Sequence, residues 1–394
     1  MNLKPHFARF LAADPKRLHF AAHSHHPWPD VTFEAQQQCW LDAAGMADRK
    51  WDKIFGEVIP SAQRHVARLL NLPDARGIAF GPNTHGFLMR LLSLFPAGRR
   101  LGILSTDSEF HSFARQARRL AEDGAAAIEQ IAVEPFAGFA DRFTAAAGRG
   151  GHDLIYLSQV FYNSGFAVAD IERLAAAAPN PDTIVVVDGY HGFMALPSDL
   201  SGVAGRVFYL AGGYKYAMSG EGAAFLHAPP GHGPRPRDTG WLAGFGALES
   251  GEDGAVGYGA DGSRFLGATF DPVGLYRFNA AMDLLNRLGL TVANIHAHAH
   301  GLQRQFIERL DGLNLAALHS RQLVVSIDQP WRGNFLTFRT ADAAALYRAL
   351  LAADIIADYR GDRLRFGFGL YHDADDVERL CERLGKVLGR VTTS

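Results

Sequence analysis

Short apolar runs alternate with amphipathic stretches over the first two thirds of the chain. This alternation is typical of βαβ units, in which strands joined by helices build a mostly parallel sheet. We therefore predict an α/β fold with a mainly parallel seven-stranded sheet flanked by helices. The predicted strands are residues 77–80, 101–105, 128–133, 154–158, 184–188, 207–210 and 223–227.

The amphipathic stretches have apolar residues at three- and four-residue spacing, as helices that pack on a sheet require. They predict helices at 61–70, 84–95, 112–122 and 170–177. From about Asp271 the pattern changes to two long helices, 272–288 and 292–310, followed by shorter apolar or helical segments at 323–327, 334–340, 341–353, 363–368 and 373–388. The change predicts an N-terminal arm (1–30), a large α/β domain (31–270) and a smaller C-terminal α+β domain (271–394). The Gly- and Pro-rich stretch 229–262 is predicted to be a long irregular connection with a functional role.

Composition narrows the class of protein. The chain has 394 residues, 48% of them hydrophobic, which is enough to fill two cores. A formal net charge of -2 offers no basic surface for nucleic acid or an anionic membrane, so we expect small-molecule partners or a second copy of the chain. The start lacks the apolar stretch of a signal peptide and no run approaches transmembrane length, so a cytoplasmic location is expected.

Two residues at the ends of apolar runs carry the most chemistry. Lys215 lies among glycines after the run that ends at Leu210, and Asp188 closes the run Thr183-Ile-Val-Val-Val-Asp188. A lysine that loses solvation becomes a better nucleophile and forms a Schiff base with a carbonyl, and an acid at a strand's carboxyl end faces the ligand crevice of an open α/β sheet. Pyridoxal 5′-phosphate (PLP) enzymes need both, since a carboxylate keeps the pyridine nitrogen protonated. Taken singly, each residue fits an ordinary turn or helix cap; together they predict PLP.

The order of motifs resembles the class V aminotransferase family of fold-type I PLP enzymes, and within it the kynureninases. The resemblance runs from the N-terminal arm to the last helix. It rests on four segments: Val187-Asp188-Gly-Tyr-His191, Gly213-Tyr214-Lys215-Tyr216, Thr239-Gly240-Trp241 and Leu364-Arg365-Phe366-Gly367-Phe368-Gly-Leu-Tyr371. The last two are the more kynureninase-like, and together the four imply the fold-type I architecture.

A phosphate site is expected where Gly81-Pro82-Asn83-Thr84-His85 joins a strand to a helix, because free backbone amides and the helix dipole favour an anion there. Asn83 or Thr84 could instead simply cap the helix. The resemblance implies that Thr84, with Asn83 beside it, binds the PLP phosphate and that Tyr214 reaches the same phosphate.

Other cofactor contacts are implied by the resemblance. Phe110 matches the residue that stacks on the cofactor ring, and His111 is a rival because some relatives stack a histidine. His191 resembles a histidine beside the ring, although a structural role fits it equally well. Trp241 and Thr269 match positions that lie at the subunit interface and complete the phosphate site from the neighbouring chain, which implies a homodimer.

We expect the substrate's carboxylate to bind at Arg365. A guanidinium holds a carboxylate by two parallel hydrogen bonds and so fixes which Cα bond stands perpendicular to the cofactor ring. Arg365 matches the family's substrate-carboxylate arginine, whereas a surface ion pair is the ordinary alternative for an arginine on a strand. In the arm that touches substrate, Ser24 is the one residue shared with the family, and His23, His25 and His26 surround it. The substrate pocket is therefore expected to differ from that of kynureninase.

No metal is predicted. The histidines of the arm, and His296 with His300 one helical turn apart, lack a supporting carboxylate pattern such as His-Glu-x-x-His. Cys39 and Cys381 are far apart and without Cys-x-x-Cys spacing, so a zinc site or disulfide framework is not expected.

The resemblance implies an enzyme acting on an α-amino acid. The favoured reaction is kynureninase-like hydrolytic cleavage of the Cβ–Cγ bond, which releases alanine. An aminotransferase that passes the amino group to a 2-oxo acid is the alternative, and a non-catalytic PLP-binding protein ranks lower. A desulfurase ranks low too, because it needs a cysteine in a mobile loop and neither cysteine lies in a plausible loop.

Overall fold

A computed structural model describes residues 2–247 and 256–389 of the chain. Numbered in chain order, the strands are β1 (Leu18–His19), β2 (Ile78–Gly81), β3 (Leu101–Thr106), β4 (Ala126–Ile131), β5 (Leu154–Ser158), β6 (Ile184–Asp188), β7 (Val207–Gly212), β8 (Ala224–His227), β9 (Phe335–Arg339), β10 (Ile355–Ile356), β11 (Asp358–Arg360) and β12 (Arg363–Gly367). The α-helices are α1 (Ala8–Ala13), α2 (Val31–Met46), α3 (Lys50–Lys53), α4 (Ile59–Leu69), α5 (Thr84–Leu92), α6 (His111–Glu122), α7 (Phe139–Gly148), α8 (Ile171–Ala176), α9 (Val273–Arg287), α10 (Val292–Gly312), α11 (Ala343–Leu351) and α12 (Ala374–Leu388).

Seven strands form one sheet in the order β2-β8-β7-β6-β5-β3-β4, which confirms the predicted α/β fold. Only β8 runs antiparallel to its neighbours within this sheet. The inner strands are continuous apolar runs, as in β6, because helices cover both faces of a parallel sheet. The carboxyl ends of β5, β6 and β7 therefore meet at one edge, and Ser158 pairs with Asp188 across β5 and β6.

A second hydrophobic cluster lies around a three-stranded antiparallel sheet of order β11-β12-β9. Its buried residues come from α10, α11 and α12 and also from the N-terminal arm, since β1 pairs with β10 and Phe20 is fully buried there. The arm is thus joined to the C-terminal part of the chain. The domain boundaries at 30/31 and 270/271 stay predictions.

Several elements differ from the sequence prediction for physical reasons. Strand β4 begins two residues earlier than expected, because Leu101 pairs with Ala126 directly after a left-handed turn at Gly124. Helix α2 was not predicted, since its two buried residues are the polar Thr32 and Asp42 and no apolar stripe marks it.

No helix within the described residues is long and apolar enough to cross a membrane.

Candidate active site

A cavity of about 200 Å³ lies at the carboxyl ends of the large sheet. We call the residues around it the cofactor end of the site. Its wall is formed by the ends of β5 and β6 and by the segments that follow β2, β3 and β7. The lining residues are Asn83, Thr84, His85, Leu88, Phe110, Ser112, Phe113, Tyr156, Ser158, Asp188, Tyr190, His191, Tyr214 and Lys215.

Lys215 is buried in the wall of this cavity, three residues after the end of β7. Its Nζ lies 2.5 Å from Nε2 and 3.2 Å from Nδ1 of His191, and 5.4 Å from the centre of the Phe110 ring. Burial lowers the pKa of the Lys215 amine to about 7, with the positive charge of Arg365 acting in the same direction and Asp188 opposing it. A large share of the amine is therefore neutral near pH 7, which is the form that attacks a carbonyl.

Asp188 ends β6 with its carboxylate in the cavity. One carboxylate oxygen accepts a hydrogen bond from the hydroxyl of Tyr156 at 2.8 Å, and the other accepts from the backbone N–H of Tyr190 at 3.0 Å. Burial raises the pKa of Asp188, and these two hydrogen bonds and the charge of Lys215 lower it. The carboxylate is thus held in one orientation and is suited to pair with a protonated ring nitrogen.

A second carboxylate lies behind the cavity wall. Glu109 is buried, and it accepts hydrogen bonds from the hydroxyls of Thr106 at 2.7 Å and Ser158 at 2.6 Å. Burial raises the pKa of Glu109 to about 8, and the charge of Asp188 adds to the effect. Neither Glu109 nor Tyr156 was singled out from the sequence. The signal for Glu109 in the sequence was an acidic residue directly before Phe110, the candidate for stacking on the cofactor ring.

The expected phosphate site forms the start of α5. Asn83 caps this helix, with its side-chain oxygen accepting from the N–H of Gly86 at 2.9 Å, and Thr84 is the first helical residue. Both line the cavity, as does Tyr214. The first amides of a helix have no partner inside the helix, so an anion can bind there.

The two candidates for ring stacking are separated by the structure. Phe110 lines the cavity, whereas His111 lies outside it and packs against Tyr162 with ring centres 5.1 Å apart. The geometry favours Phe110 as the stacking residue.

Trp241 and Thr269 do not line the cavity. The indole N–H of Trp241 donates to the hydroxyl of Thr269 at 3.2 Å, and the Trp241 side chain is 43% exposed. The pair lies on the surface of the chain, where a neighbouring subunit can reach it.

Arg365 is only 3% exposed and belongs to a separate cluster, which we call the substrate end of the site: Arg365, Asp358, His23 and Phe335. Its guanidinium donates to the carboxylate of Asp358 and to the backbone carbonyl of Tyr162. The Phe335 ring joins this cluster to the cofactor end, because its centre lies 5.9 Å from Arg365 Cζ and 5.9 Å from the His191 ring. The charge of Arg365 contributes to lowering the pKa of both Lys215 and His191, although burial is the larger cause.

The N-terminal arm lies beside both ends. His23 stacks on Phe335 with ring centres 4.7 Å apart, and His25 packs against Tyr214 at 5.4 Å. Ser24 is partly buried and does not line the cavity. His26 is buried, and burial lowers its pKa to about 4.

The histidine groups show no metal-binding arrangement. Within residues 2–247 and 256–389, no group of three or more His, Cys, Asp or Glu side chains is placed to hold a metal ion. His296 and His300 instead bond to the backbone carbonyls of Ala195 and Arg332.

The cofactor end fits PLP. An amine, a carboxylate with fixed hydrogen bonds and a helix N-terminus surround one cavity, and they match the aldehyde, the pyridine nitrogen and the phosphate of that molecule.

Comparison with known proteins agrees with this assignment. The family model "Aminotransferase class-V" matches residues 26–380. Kynureninase from Pseudomonas fluorescens is 28% identical over 250 residues, which cover 61% of this chain and 57% of that protein. A probable cysteine desulfurase from Vibrio cholerae serotype O1 (strain ATCC 39315 / El Tor Inaba N16961) is 26% identical over 231 residues, or 55% of this chain and 54% of that protein. The chain thus spans little more than half the length of the curated relatives it matches.

Solved structures share the whole fold. A mutant of the C-DES protein with glycine covalently linked to its PLP cofactor superposes with a TM-score of 0.81 at 20% identity, covering 98% of this chain and 100% of that chain. The family match extends over most of the chain and includes the segments that carry Asp188, Lys215 and Arg365. This chain is therefore a PLP-dependent enzyme that belongs to the class V aminotransferase family.

Proposed function

We propose that the enzyme acts on an α-amino acid and cleaves its Cβ–Cγ bond hydrolytically, releasing alanine, as a kynureninase-like enzyme. The observation that carries the amino-acid part is the grouping of Lys215, Asp188 and the α5 N-terminus around one cavity, with the Arg365 cluster joined to it through Phe335. The choice of reaction is supported by the similarity to kynureninase from Pseudomonas fluorescens.

The roles of the side chains follow from their positions. The cofactor, when bound, supplies an electron sink for bonds broken at Cα. Lys215 would hold the cofactor at its aldehyde, and as a free amine it would take the Cα proton of the substrate as a general base. Asp188 would keep the pyridine nitrogen protonated, and Arg365 would bind the substrate's α-carboxylate. Water adds to the substrate's γ-carbonyl, and the Cβ–Cγ bond breaks with its electron pair on Cβ. Cβ takes up the proton that water gives up and the Cα proton is returned, which leaves alanine and a carboxylic acid.

His191 is proposed to hold the Lys215 amine in place between these steps. Its ring lies against Nζ, and burial keeps its pKa well below the usual range. A neutral imidazole at that distance accepts a hydrogen bond from the amine and adds no positive charge to the site.

A homodimer is part of the proposal. Trp241 and Thr269 are available on the surface, which suits the role of completing the phosphate site of a neighbouring subunit. The molar mass in solution, measured with and without PLP for the native chain and for Trp241→Ala, tests this. Cofactor affinity and the dimer should weaken together, and a monomer with full PLP affinity would contradict the interface role.

The cysteines argue against a desulfurase that uses a loop cysteine. Cys39 lies in α2 and Cys381 is buried in α12, and neither lines the cofactor cavity. Transamination stays the alternative reaction, because Lys215, Asp188 and Arg365 would serve it equally.

The test is a product assay of the PLP-loaded enzyme with L-kynurenine, 3-hydroxykynurenine and a panel of amino acids, with and without a 2-oxo acid. Alanine formed without the acceptor supports hydrolytic cleavage. Strict dependence on the acceptor supports transamination instead, and a bound cofactor that never yields product supports a non-catalytic binder.

A further inference from the structure

We propose that Asp358 is a positioning residue that orients Arg365 for the substrate's α-carboxylate and so determines discrimination in favour of α-amino acids. The proposal rests on the proposed function of Arg365. It goes further by assigning a role to a residue that does not reach the cofactor cavity.

Asp358, Arg365 and Thr337 form a row of side chains across the small sheet. Asp358 on β11 and Thr337 on β9 are the direct cross-strand partners of Arg365 on β12, so the three side chains share one face of the sheet. The Asp358 carboxylate contacts Arg365 directly, while the Thr337 hydroxyl has no hydrogen-bond partner within the described part of the chain. Asp358 is therefore the anchor on this face.

The guanidinium of Arg365 is held at its two terminal nitrogens. Asp358 and the backbone carbonyl of Tyr162 accept from the two terminal nitrogens of Arg365. The Nε–H of Arg365 is buried and has no partner within residues 2–247 and 256–389. A buried donor without a partner is costly, so this group is suited to receive a ligand oxygen. Two fixed points define the plane of the guanidinium.

The positive charge of this cluster is not cancelled by Asp358. The other oxygen of Asp358 accepts from Arg360 at 2.6 Å, so one carboxylate is shared by two arginines. Asp358 therefore does not cancel the charge of Arg365, and the cluster keeps a net attraction for an incoming carboxylate.

His23, from the N-terminal arm, lies beside Asp358. It is fully buried, its Nε2 lies 3.7 Å from a carboxylate oxygen of Asp358, and its ring is stacked on Phe335. The residue at 367 must be small, because a Cβ there would lie 2.2 Å from Nδ1 of His23. Burial and the charge of Arg365 lower the pKa of His23 well below its usual range, so the ring is neutral and does not compete with Arg365 for Asp358 as a second cation.

Two substitutions separate orientation from charge. Asp358→Asn and Asp358→Ala remove the same negative charge, but only Asn keeps an oxygen that can accept the bond from Arg365. Binding to the PLP-loaded enzyme is followed by the change in cofactor absorbance, with L-alanine against ethylamine and L-phenylalanine against 2-phenylethylamine. Within each pair the compounds differ only in the α-carboxylate.

We expect Asp358→Ala to weaken amino-acid binding by about tenfold or more, since misplacing an orienting group costs at least this much. Asp358→Asn should stay within about threefold of the native enzyme, because it keeps the accepting oxygen. Both variants should bind the amines as the native enzyme does, which also shows that they are folded. Asp362→Ala, on the exposed turn between β11 and β12, is the matched control.

Equal losses for Asn and Ala would assign the effect to charge, and equal losses for amino acids and amines would assign it to general destabilisation. Either result overturns the positioning role. Arg365→Ala separates this failure from failure of the proposed function. If that variant keeps full discrimination between amino acid and amine, Arg365 does not bind the carboxylate at all.

Discussion

The cofactor end and the substrate end of the site are assembled in different ways. At the cofactor end, Asp188 and Lys215 follow neighbouring strands of one sheet, so the order of apolar runs already brings them together. At the substrate end, Arg365, Asp358 and His23 come from a separate small sheet and from the N-terminal arm. The first arrangement depends on local strand ends, whereas the second depends on how distant segments pack.

The largest expected effect comes from removing one central residue at each end. Lys215→Ala should abolish the borohydride-fixable yellow chromophore and lower turnover by roughly 10³-fold or more, because the covalent link and the general base are lost together. Arg365→Ala should keep the chromophore and weaken turnover of α-amino acids. Absorbance spectra and steady-state rates check this, with Lys386→Ala on the exposed side of α12 as the control. Loss of colour in Arg365→Ala would refute the division of the site into two ends.

A change of pH is expected to have a smaller, graded effect on the rate of PLP capture at the cofactor end. Only the neutral amine attacks the cofactor aldehyde, and burial lowers the pKa of Lys215 to about 7. The rate at which cofactor-free protein captures added PLP should therefore fall about tenfold per pH unit below 7 and level off above it. At the substrate end Arg365 stays protonated throughout, so amino-acid discrimination should be flat over the same range. Stopped-flow absorbance measures the rate of PLP capture, and equilibrium titration measures the discrimination between amino acid and amine.

A capture rate that keeps rising to about pH 10 would mean that Lys215 behaves as an exposed lysine, and it would contradict the effect of burial.

The third expected effect is on folding stability and concerns Glu109. Its pKa is raised to about 8 in the folded state, so between the ordinary value of 4.5 and about 8 the folded chain holds a proton that the unfolded chain has lost. Folding stability should therefore decrease with rising pH over this window, by up to about 1.4 kcal/mol per pH unit from this group. Glu109→Gln should remove that contribution while keeping the shape of the side chain.

Denaturant unfolding of both proteins at several pH values between roughly 5 and 8 measures this difference. Glu134→Gln, whose native carboxylate is partly exposed and pairs with Arg339 and Arg363, is the control and should keep the native pH dependence, because it retains Glu109. If Glu109→Gln follows the same pH dependence as the native chain, Glu109 is ionised in the folded state.

Most of the cofactor end was predictable from the sequence. Asn83, Thr84, Phe110, His191 and Tyr214 all line the same cavity as Asp188 and Lys215. The reason is that each lies within a few residues of a strand or helix end, and parallel strands deliver those ends to one edge of the sheet. Tyr156 was missed because a tyrosine inside an apolar strand looks like core, although its hydroxyl bonds to Asp188.

The substrate end was less predictable. Arg365 was found through its motif, but its burial and its pairing with Asp358 were not foreseen, since the pair forms only when β11 folds back on β12. The histidines of the arm had no assigned partner, because His23 meets Asp358 and Phe335 across more than 300 residues of chain.

The sequence by itself determined the seven-stranded α/β architecture, the pairing of an amine with a carboxylate at strand ends and the choice of cofactor. These follow from periodicity and from residues adjacent in the chain. Only the tertiary structure decided that Phe110 rather than His111 faces the cavity, that Glu109 is buried behind it and that Asp358 holds Arg365. Those outcomes depend on which side chains are desolvated by burial and which distant groups then replace water as their partners. Both are determined by tertiary packing.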